Sequence, residues 1–149
     1  IAKYRERRIP KAGPEGESLA AVAGEGEAMV AAVAGHFDEV EITAALESVW
    51  EYVRRLNRLV EEEAPWKLAR DEAQAGRLDA VLHALAAGLR LVALSLHPVI
   101  PGTAAEILRR LGQPHGDGDL LLDRAVWGGL EAASVEVAPP LFPRIERGA

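Results

Sequence analysis

The amino-acid sequence predicts an all-α protein, an up-down bundle of about four or five helices followed by an irregular, partly extended C-terminal tail. Three observations favour this class. Alanine and leucine dominate the chain, and both are strong helix formers. Alternating β-branched residues, the pattern of a strand, are nearly absent before residue 134. Apolar residues instead recur at helical spacing in segments joined by short loops, which is typical of helical bundles.

The first 41 residues predict one well-defined helix. Ile1–Arg8 looks like the end of a helix already under way, so we expect the chain to be a fragment of a longer one. Pro10 and the run Gly13–Gly16 break that helix and form the first linker. Ser18–Gly24 is weakly patterned, and a helix is predicted from Glu25 to about Phe37.

The clearest helix spans Ile42–Glu63. Its apolar residues are spaced four, three, four, three and four apart, the stripe that a bundle helix buries: Ile42, Leu46, Val49, Val53, Leu56 and Val60. Ala64 precedes Pro65, and a residue before proline is pushed out of the helical region, so the helix ends there. Pro65 suits the first turn of a short helix that runs to Arg70.

The remaining elements are a central helix, a last helix and the tail. Gln74–Leu96 is apolar on most sides, which predicts a helix buried by several neighbours. After a tight proline corner, Thr103 and Glu106 form the capping box of a last helix, which stops at Gly112. Ser134–Val137 is a strand-like part of the tail.

Composition excludes several classes of protein. The 149 residues suit one domain with a single core. Because the chain has no cysteine, disulfide scaffolds, zinc ribbons, iron–sulfur sites and thiol nucleophiles are excluded. The longest strongly apolar stretch, Leu91–Leu96, is shorter than the roughly 20 residues that a membrane span needs. We therefore expect no membrane partner.

The sequence also lacks the patterns of catalytic chemistry. Its four histidines lie in separate elements, and no P-loop, G-x-S-x-G or strand-linked G-x-G-x-x-G is present. The triplet Glu61–Glu63 points in three directions on a helix, which is typical of a solvated end and not of an acid/base or metal site. We expect no catalytic residue, metal or cofactor in this chain.

The charges are unevenly distributed. A net charge of −6 excludes general attraction to nucleic acid, so any such contact must come from a local patch. No lysine or arginine occurs between Ala12 and Val53. The basic residues form two clusters: Lys3, Arg5, Arg7, Arg8 and Lys11; and Arg54, Arg55, Arg58, Lys67 and Arg70. The second cluster either faces an anion or complements the negative end of a helix dipole, and the sequence leaves both open.

Trp66 lies at the corner between two helices, after a proline and beside Lys67 and Arg70. A rigid aromatic ring beside cations provides a face on which an unpaired base stacks, together with partners for phosphate. A tryptophan at a corner also packs into bundles, so the sequence leaves open whether the ring stacks or packs.

Three segments, in order, resemble the anticodon-binding helical domain of methionyl-tRNA synthetases. Asn57–Asp71 resembles the family's N-x-Y-x(4)-A-P-W-x-L-A-K-D motif. Leu94–Leu111 is similar to its L-x-P-x-x-P corner and I-L-x-x-L-G helix. Trp127–Leu130 and Pro140–Ile145 resemble its W-G-x-L and P-L-F-P-R-I ending. The likeness covers essentially the whole chain, although Leu59 stands where an aromatic residue is usual.

The resemblance implies a class I enzyme that joins methionine to its tRNA in the cytoplasm, using ATP with Mg. Its Rossmann catalytic domain would lie upstream of Ile1, so residues 1–149 would form the anticodon-binding domain. The implied partners are the anticodon loop of tRNA(Met) and that catalytic domain, and not DNA. A polar pair that also reads the anticodon in the family would lie upstream of this chain.

The resemblance also implies site residues. Trp66 matches the tryptophan on which an anticodon base stacks. Asn57 matches the asparagine of the motif, and we expect it to hold the Pro65–Trp66 corner by side-chain hydrogen bonds. The surrounding cations expected at the anticodon site are Arg54, Arg58, Lys67 and Arg70, the last in place of the family's usual lysine.

Two alternatives are kept. Synthetases of the same class for valine, leucine, isoleucine and cysteine have related bundles, so the chain could be the anticodon-binding domain of one of them. In a helical protein-interaction scaffold, Trp66 would be buried and the basic clusters would only complement helix ends. The exposure of the Trp66 ring distinguishes the scaffold from an RNA-binding site.

Overall fold

The computed structural model describes residues 1–13, 16–130 and 133–142. These residues form five α-helices: α1 Glu17–Asp38, α2 Ile42–Glu63, the single-turn α3 Pro65–Leu68, α4 Ala75–Leu96 and α5 Pro101–Arg110. Short 3-10 turns lie at Glu72–Gln74, Asp117–Asp119 and Leu122–Arg124. No β-strand occurs within these three ranges, where the only pairing is a single antiparallel bridge between Arg8 and Ser134. The predicted all-α class and helical bundle are confirmed.

Helix α2 has the predicted bounds, but its buried face is rotated from the predicted stripe. Val49 and Leu56 are buried as expected, whereas Ile42 is exposed and Tyr52 is buried instead. The reason is that α2 packs against both α1 and α4, so it buries a face wider than a single stripe. The Tyr52 hydroxyl donates a hydrogen bond to the Val22 carbonyl at 3.1 Å, and burial raises the pKa of this hydroxyl.

Helix α1 is longer than predicted. It begins at Glu17 and not at Glu25, because Leu19 and Val22 are fully buried in the core that α1 forms with α2 and α4. Tertiary packing thus stabilises a segment whose own pattern is weak. Pro14 and Glu15, in the predicted first linker, lie outside the described residues.

Helix α4 is the central helix, as predicted. It contacts α1, α2, α3 and α5, and the whole run Leu91–Leu96 is buried. By length and composition alone, Glu17–Asp38 and Glu72–Leu96 are both apolar enough to cross a membrane, although the strongly apolar run Leu91–Leu96 is short. In this fold 72% of the apolar window in the second segment is buried, which is typical of the core helix of a bundle.

Helix α5 ends as predicted but begins differently. Its first residue is Pro101, so Thr103 lies inside the helix and the predicted capping box is wrong. Proline is favoured at this first position because the amide it lacks has no helical partner there. Glu106 instead accepts hydrogen bonds from Arg109 and Arg110 at 2.7 Å each, which lower its pKa to about 2. Gly112 follows with φ +64°, the left-handed conformation that ends helices.

The helix end predicted in residues 1–8 is a single helical turn, and it stops before Pro10. One helical turn closes from the Arg5 amide to the Ile1 carbonyl at 2.9 Å, and then Glu6 and Arg7 adopt positive φ. The chain next pairs with the tail: the Ile9 amide donates to Ala133 O at 2.9 Å and the Val135 amide to Arg7 O at 2.6 Å. Part of the strand-like tail is therefore paired with the N-terminal segment. Residues 143–145 of the family-like ending lie outside the described residues.

Candidate nucleic-acid interface

The corner between α2 and α3 is set by one residue. Ala64 has φ 42° and ψ 63°, the left-handed conformation, which ends α2 and begins α3. Its carbonyl accepts from the amides of Lys67 and Leu68 at 2.7 and 3.3 Å. A non-glycine residue in this conformation costs about 1–2 kcal/mol. Because Ala64 and Pro65 are both buried, packing holds the corner in this shape.

Trp66 follows this buried proline and remains accessible. The side chain is 45% exposed, although the corner that carries it is anchored on the core. An aromatic ring held by a rigid backbone and open to solvent can accept a stacked base with little loss of conformational entropy. This exposure is the opposite of the buried ring that a purely structural corner residue would show.

The predicted cations around the corner are exposed. Within the part of the chain that the structure describes, no ion pair or hydrogen bond engages the side chains of Arg54, Arg58, Lys67 and Arg70. Arg55 of the same cluster is different: its Nε lies 2.9 Å from Glu25 and its Nη1 3.5 Å from Glu62. Arg55 therefore links helices, whereas the other four side chains have no such partner among the described residues.

Arg54, Asn57 and Arg58 share the exposed face of α2, because residues three and four apart are neighbours on a helix. The Asn57 side chain is exposed, and no described residue hydrogen-bonds to it. The expectation that Asn57 holds the Pro65–Trp66 corner by hydrogen bonds is therefore wrong for this structure. Its place on the same face as the two arginines leaves its amide free to contact a ligand.

A partly buried polar cluster that the sequence did not predict holds this end of the bundle together. Glu63, the last residue of α2, accepts hydrogen bonds from Ser18 Oγ and from Arg77 Nε, at 2.9 Å each. Arg77 Nη2 also donates to Ser18 Oγ at 2.8 Å. These three residues join the end of α2 to the starts of α1 and α4.

The ionisation of Glu63 follows from these contacts. The hydrogen bond from Arg77 lowers the Glu63 pKa, with a smaller contribution in the same direction from Ser18. The sequence predicts a solvated helix end at Glu61–Glu63, but the Glu63 side chain is only 15% exposed. The sequence feature that indicates this cluster is the presence of Ser, Glu and Arg near three helix ends, which a helical bundle brings together.

The side chains exposed at this site are groups that bind ligands. Among the described residues, no group of three or more His, Asp or Glu side chains could hold a metal ion. An accessible indole, exposed arginines and lysine and a free amide are instead the groups that bind unpaired nucleotides by stacking, phosphate contacts and hydrogen bonds.

Comparison with known proteins decides the family. The family model described as the anticodon binding domain of methionyl tRNA ligase matches residues 9–147. The chain belongs to this family. This membership confirms the resemblance that Asn57–Asp71 and the later motifs indicated.

Relatives and solved structures agree with this anticodon-binding domain family. The methionine–tRNA ligase of Deinococcus radiodurans is 35% identical over 98% of the chain and 21% of that protein. The methionine–tRNA ligase of Streptomyces coelicolor is 32% identical over 98% of the chain and 29% of that protein. The apo structure of Mycobacterium tuberculosis methionyl-tRNA synthetase has a TM-score of 0.87 and 28% identity, over 99% of this chain and 30% of that one. The same enzyme has been solved with methionyl-adenylate, with a TM-score of 0.86 and 29% identity over 97% and 28% of the two chains.

The anticodon-binding domain described here thus spans between about a fifth and a third of the length of these relatives. All of them are methionine–tRNA ligases, so none supports the alternative of a synthetase for another amino acid.

Proposed function

We propose that this chain is the domain with which a longer methionine–tRNA ligase recognises the anticodon loop of its tRNA. The observation that carries the proposal is the half-exposed Trp66 ring on a buried, fixed corner. Family membership supplies the tRNA partner, and the exposed side chains supply the means of contact.

The main contact in this proposal is one base stacked on Trp66. The loop of a tRNA presents bases that are not paired, and a protein can stack them on an aromatic ring. The corner needs no rearrangement to present the ring, because Ala64 and Pro65 are already fixed by burial. Stacking of this kind contributes about 1–3 kcal/mol per base.

The exposed cations and the Asn57 amide add to the stacked base. Arg54 and Arg58 on α2, with Lys67 and Arg70 beyond the corner, bind phosphates on either side of that base. Phosphate contacts set the position of the RNA, while contacts with base edges carry sequence information. Asn57 can both donate and accept hydrogen bonds, so it contacts RNA directly and does not support the corner.

The remaining parts of the proposal concern the longer protein. A Rossmann domain upstream of residue 1 would bind ATP with Mg and methionine and carry out the chemistry, and the whole enzyme would act in the cytoplasm. One solved relative holds methionyl-adenylate, the intermediate expected from such chemistry. The residues described here take no part in that step.

The test is the Trp66→Ala variant of the longer protein. Loss of one stacked base should lower kcat/KM for charging tRNA by about 5- to 150-fold, which corresponds to about 1–3 kcal/mol. Methionine activation, measured by ATP–pyrophosphate exchange, should not change, because this reaction involves no tRNA.

Trp50→Ala is the matched control. Trp50 is also exposed, at 51%, but it lies 14 residues before Ala64 on α2, about 21 Å along the helix. Trp50→Ala should leave kcat/KM for charging tRNA within about twofold of the wild-type value. Equal losses of charging and activation in Trp66→Ala would instead identify Trp66 as a packing residue and contradict the stacking proposal.

A further inference from the structure

The first basic cluster contributes a second cationic surface. Arg8 and Lys11 flank Pro10, and all three line two adjoining surface grooves. Both cations are exposed, and neither has an ion-pair partner within residues 1–13, 16–130 and 133–142. We name the pair Arg8 and Lys11 the N-terminal clamp.

The segment that carries the N-terminal clamp lies along the N-terminal half of α4. Arg5, which lines the same groove, donates to the Ala75 carbonyl at 3.1 Å and pairs with Asp79, both on the first turns of α4. The Pro10 carbonyl is 2.9 Å from His83 Nδ1, about two turns further on. These contacts fix the segment that carries the clamp on the N-terminal half of α4.

The Trp66 corner is close to the start of α4. Helix α3, which contains Trp66, packs against α4, and residues 69–74 lead directly into Ala75. The cluster of Glu63, Ser18 and Arg77 joins the end of α2 to the same region. The segments that carry Trp66 and the N-terminal clamp, more than 50 residues apart in sequence, are therefore both packed on α4.

The backbone of the clamp is held in place by the tail. The bridge between Arg8 and Ser134 and the hydrogen bond from the Ile9 amide to Ala133 O fix Arg8. Arg7 is held with φ 69°, and its carbonyl accepts from the Val135 amide at 2.6 Å. Because the segment is already ordered, binding a ligand there would cost little conformational entropy of the chain.

The charges that face the groove leave it positive. Its carboxylates are Asp79, which is paired with Arg5, and Glu6. The single negative charge of Glu6 is outnumbered by the two unpaired cations of the clamp, Arg8 and Lys11. A guanidinium and an ammonium that line the same groove suit a phosphate group, which accepts hydrogen bonds from both.

We propose that the N-terminal clamp binds backbone phosphates of the same RNA whose base stacks on Trp66. This inference rests on the proposed function and extends the RNA interface to a segment more than 50 residues away in sequence. The clamp recognises the phosphate backbone, so its contribution is the same for every anticodon sequence.

The test is the double variant Arg8→Ala/Lys11→Ala in the longer protein, with the Kd for tRNA measured between 50 and 200 mM salt. Loss of two phosphate contacts should make the salt dependence shallower. Over this fourfold range, the wild type should lose about tenfold more affinity than the variant. Two anticodon stem-loops, one with the methionine anticodon and one with an altered anticodon, should be weakened by the same factor.

Two controls keep the result specific. Arg124→Ala removes an exposed cation far from the clamp. The Arg124 carbonyl accepts a hydrogen bond from Arg90, which is 15 residues, or about 22 Å, along α4 from Ala75. This variant should leave the Kd for tRNA and its salt dependence unchanged. Arg8→Lys/Lys11→Arg exchanges the two cations and should restore binding, which a merely misfolded segment would not do.

The outcomes separate the clamp from the Trp66 site. An unchanged salt slope in Arg8→Ala/Lys11→Ala, while Trp66→Ala still weakens charging, overturns the clamp and leaves the proposed function intact. Failure of the wild-type protein to bind either stem-loop overturns both. A loss confined to the methionine anticodon would show base readout and would contradict phosphate binding.

Discussion

Gly26 sets how closely α1 and α2 approach. A Cβ at this position would lie 2.6 Å from Tyr52 Oη and 2.9 Å from Leu91 Cδ1. The absence of a side chain therefore allows the Tyr52 hydroxyl to reach the Val22 carbonyl at 3.1 Å. Gly88 has the same role on α4, where a Cβ would lie 2.6 Å from Leu56 Cδ2.

Gly26→Ala should therefore lower the free energy of unfolding by about 1–3 kcal/mol, because the methyl group forces Tyr52 and Leu91 to move. Gly24→Ala is the matched control on the same helix. A Cβ at Gly24 would meet no atom within 4 Å, so alanine should stabilise α1 by about 0.5–1 kcal/mol. Urea unfolding monitored by circular dichroism measures both changes, and a stabilising Gly26→Ala would show that the helices are not in close contact there.

Single residues were partly predictable from sequence. The sequence singles out Trp66 and the cations near it by their residue types and by Pro65, but it leaves open whether the ring stacks or packs. Tyr52 and Gly26 were not found, because their roles depend on contact between two helices. The supporting hydrogen bonds of Asn57 were expected from the motif alone, and the packing of the corner makes them unnecessary.

At the scale of elements, the cluster of Ser18, Glu63 and Arg77 joins three helix ends beneath the Trp66 corner. Arg77→Met should lower the free energy of unfolding by about 1–3 kcal/mol at pH 7, because Glu63 loses charged hydrogen bonds while mostly buried. Arg58→Met, which removes an exposed cation without a partner among the described residues, should change it by no more than about 0.5 kcal/mol.

The cost of Arg77→Met should depend on pH. The folded-state pKa of Glu63 lies below its ordinary value of 4.5. Its contribution is therefore present above that value and is lost as the pH falls through the lowered folded-state pKa. Urea unfolding at a series of pH values should show the difference between wild type and Arg77→Met shrinking on acidification. A difference that stays constant would rule out the ion pair as its source.

Elements with a strong local pattern could be predicted, and those fixed by distant contacts could not. Helix α2 has the predicted bounds because regular apolar spacing and Pro65 specify both its length and its end. The bridge between Arg8 and Ser134 joins residues 126 positions apart, so nothing in the local sequence of residues 1–8 indicates it. The early start of α1 has the same kind of cause.

The whole molecule combines an excess of acid with local exposed cations. The net charge is −6, yet Arg54, Arg58, Lys67 and Arg70 are exposed on α2 and beyond the Trp66 corner, as are Arg8 and Lys11 of the N-terminal clamp. An acidic body reduces non-specific attraction to nucleic acid, so we expect RNA binding to depend on these local cations. The core of the bundle fixes the corner that carries Trp66.

The central claim, that an RNA base stacks on Trp66, is tested most directly by ¹⁹F NMR. The chain has three tryptophans, Trp50, Trp66 and Trp127. Incorporation of 5-fluorotryptophan gives each position its own resonance, and a Trp→Phe variant at each position assigns it. On titration with the methionine anticodon stem-loop, the Trp66 resonance should shift while that of Trp50 stays in place. Saturable RNA binding with an unmoved Trp66 resonance would contradict the claim.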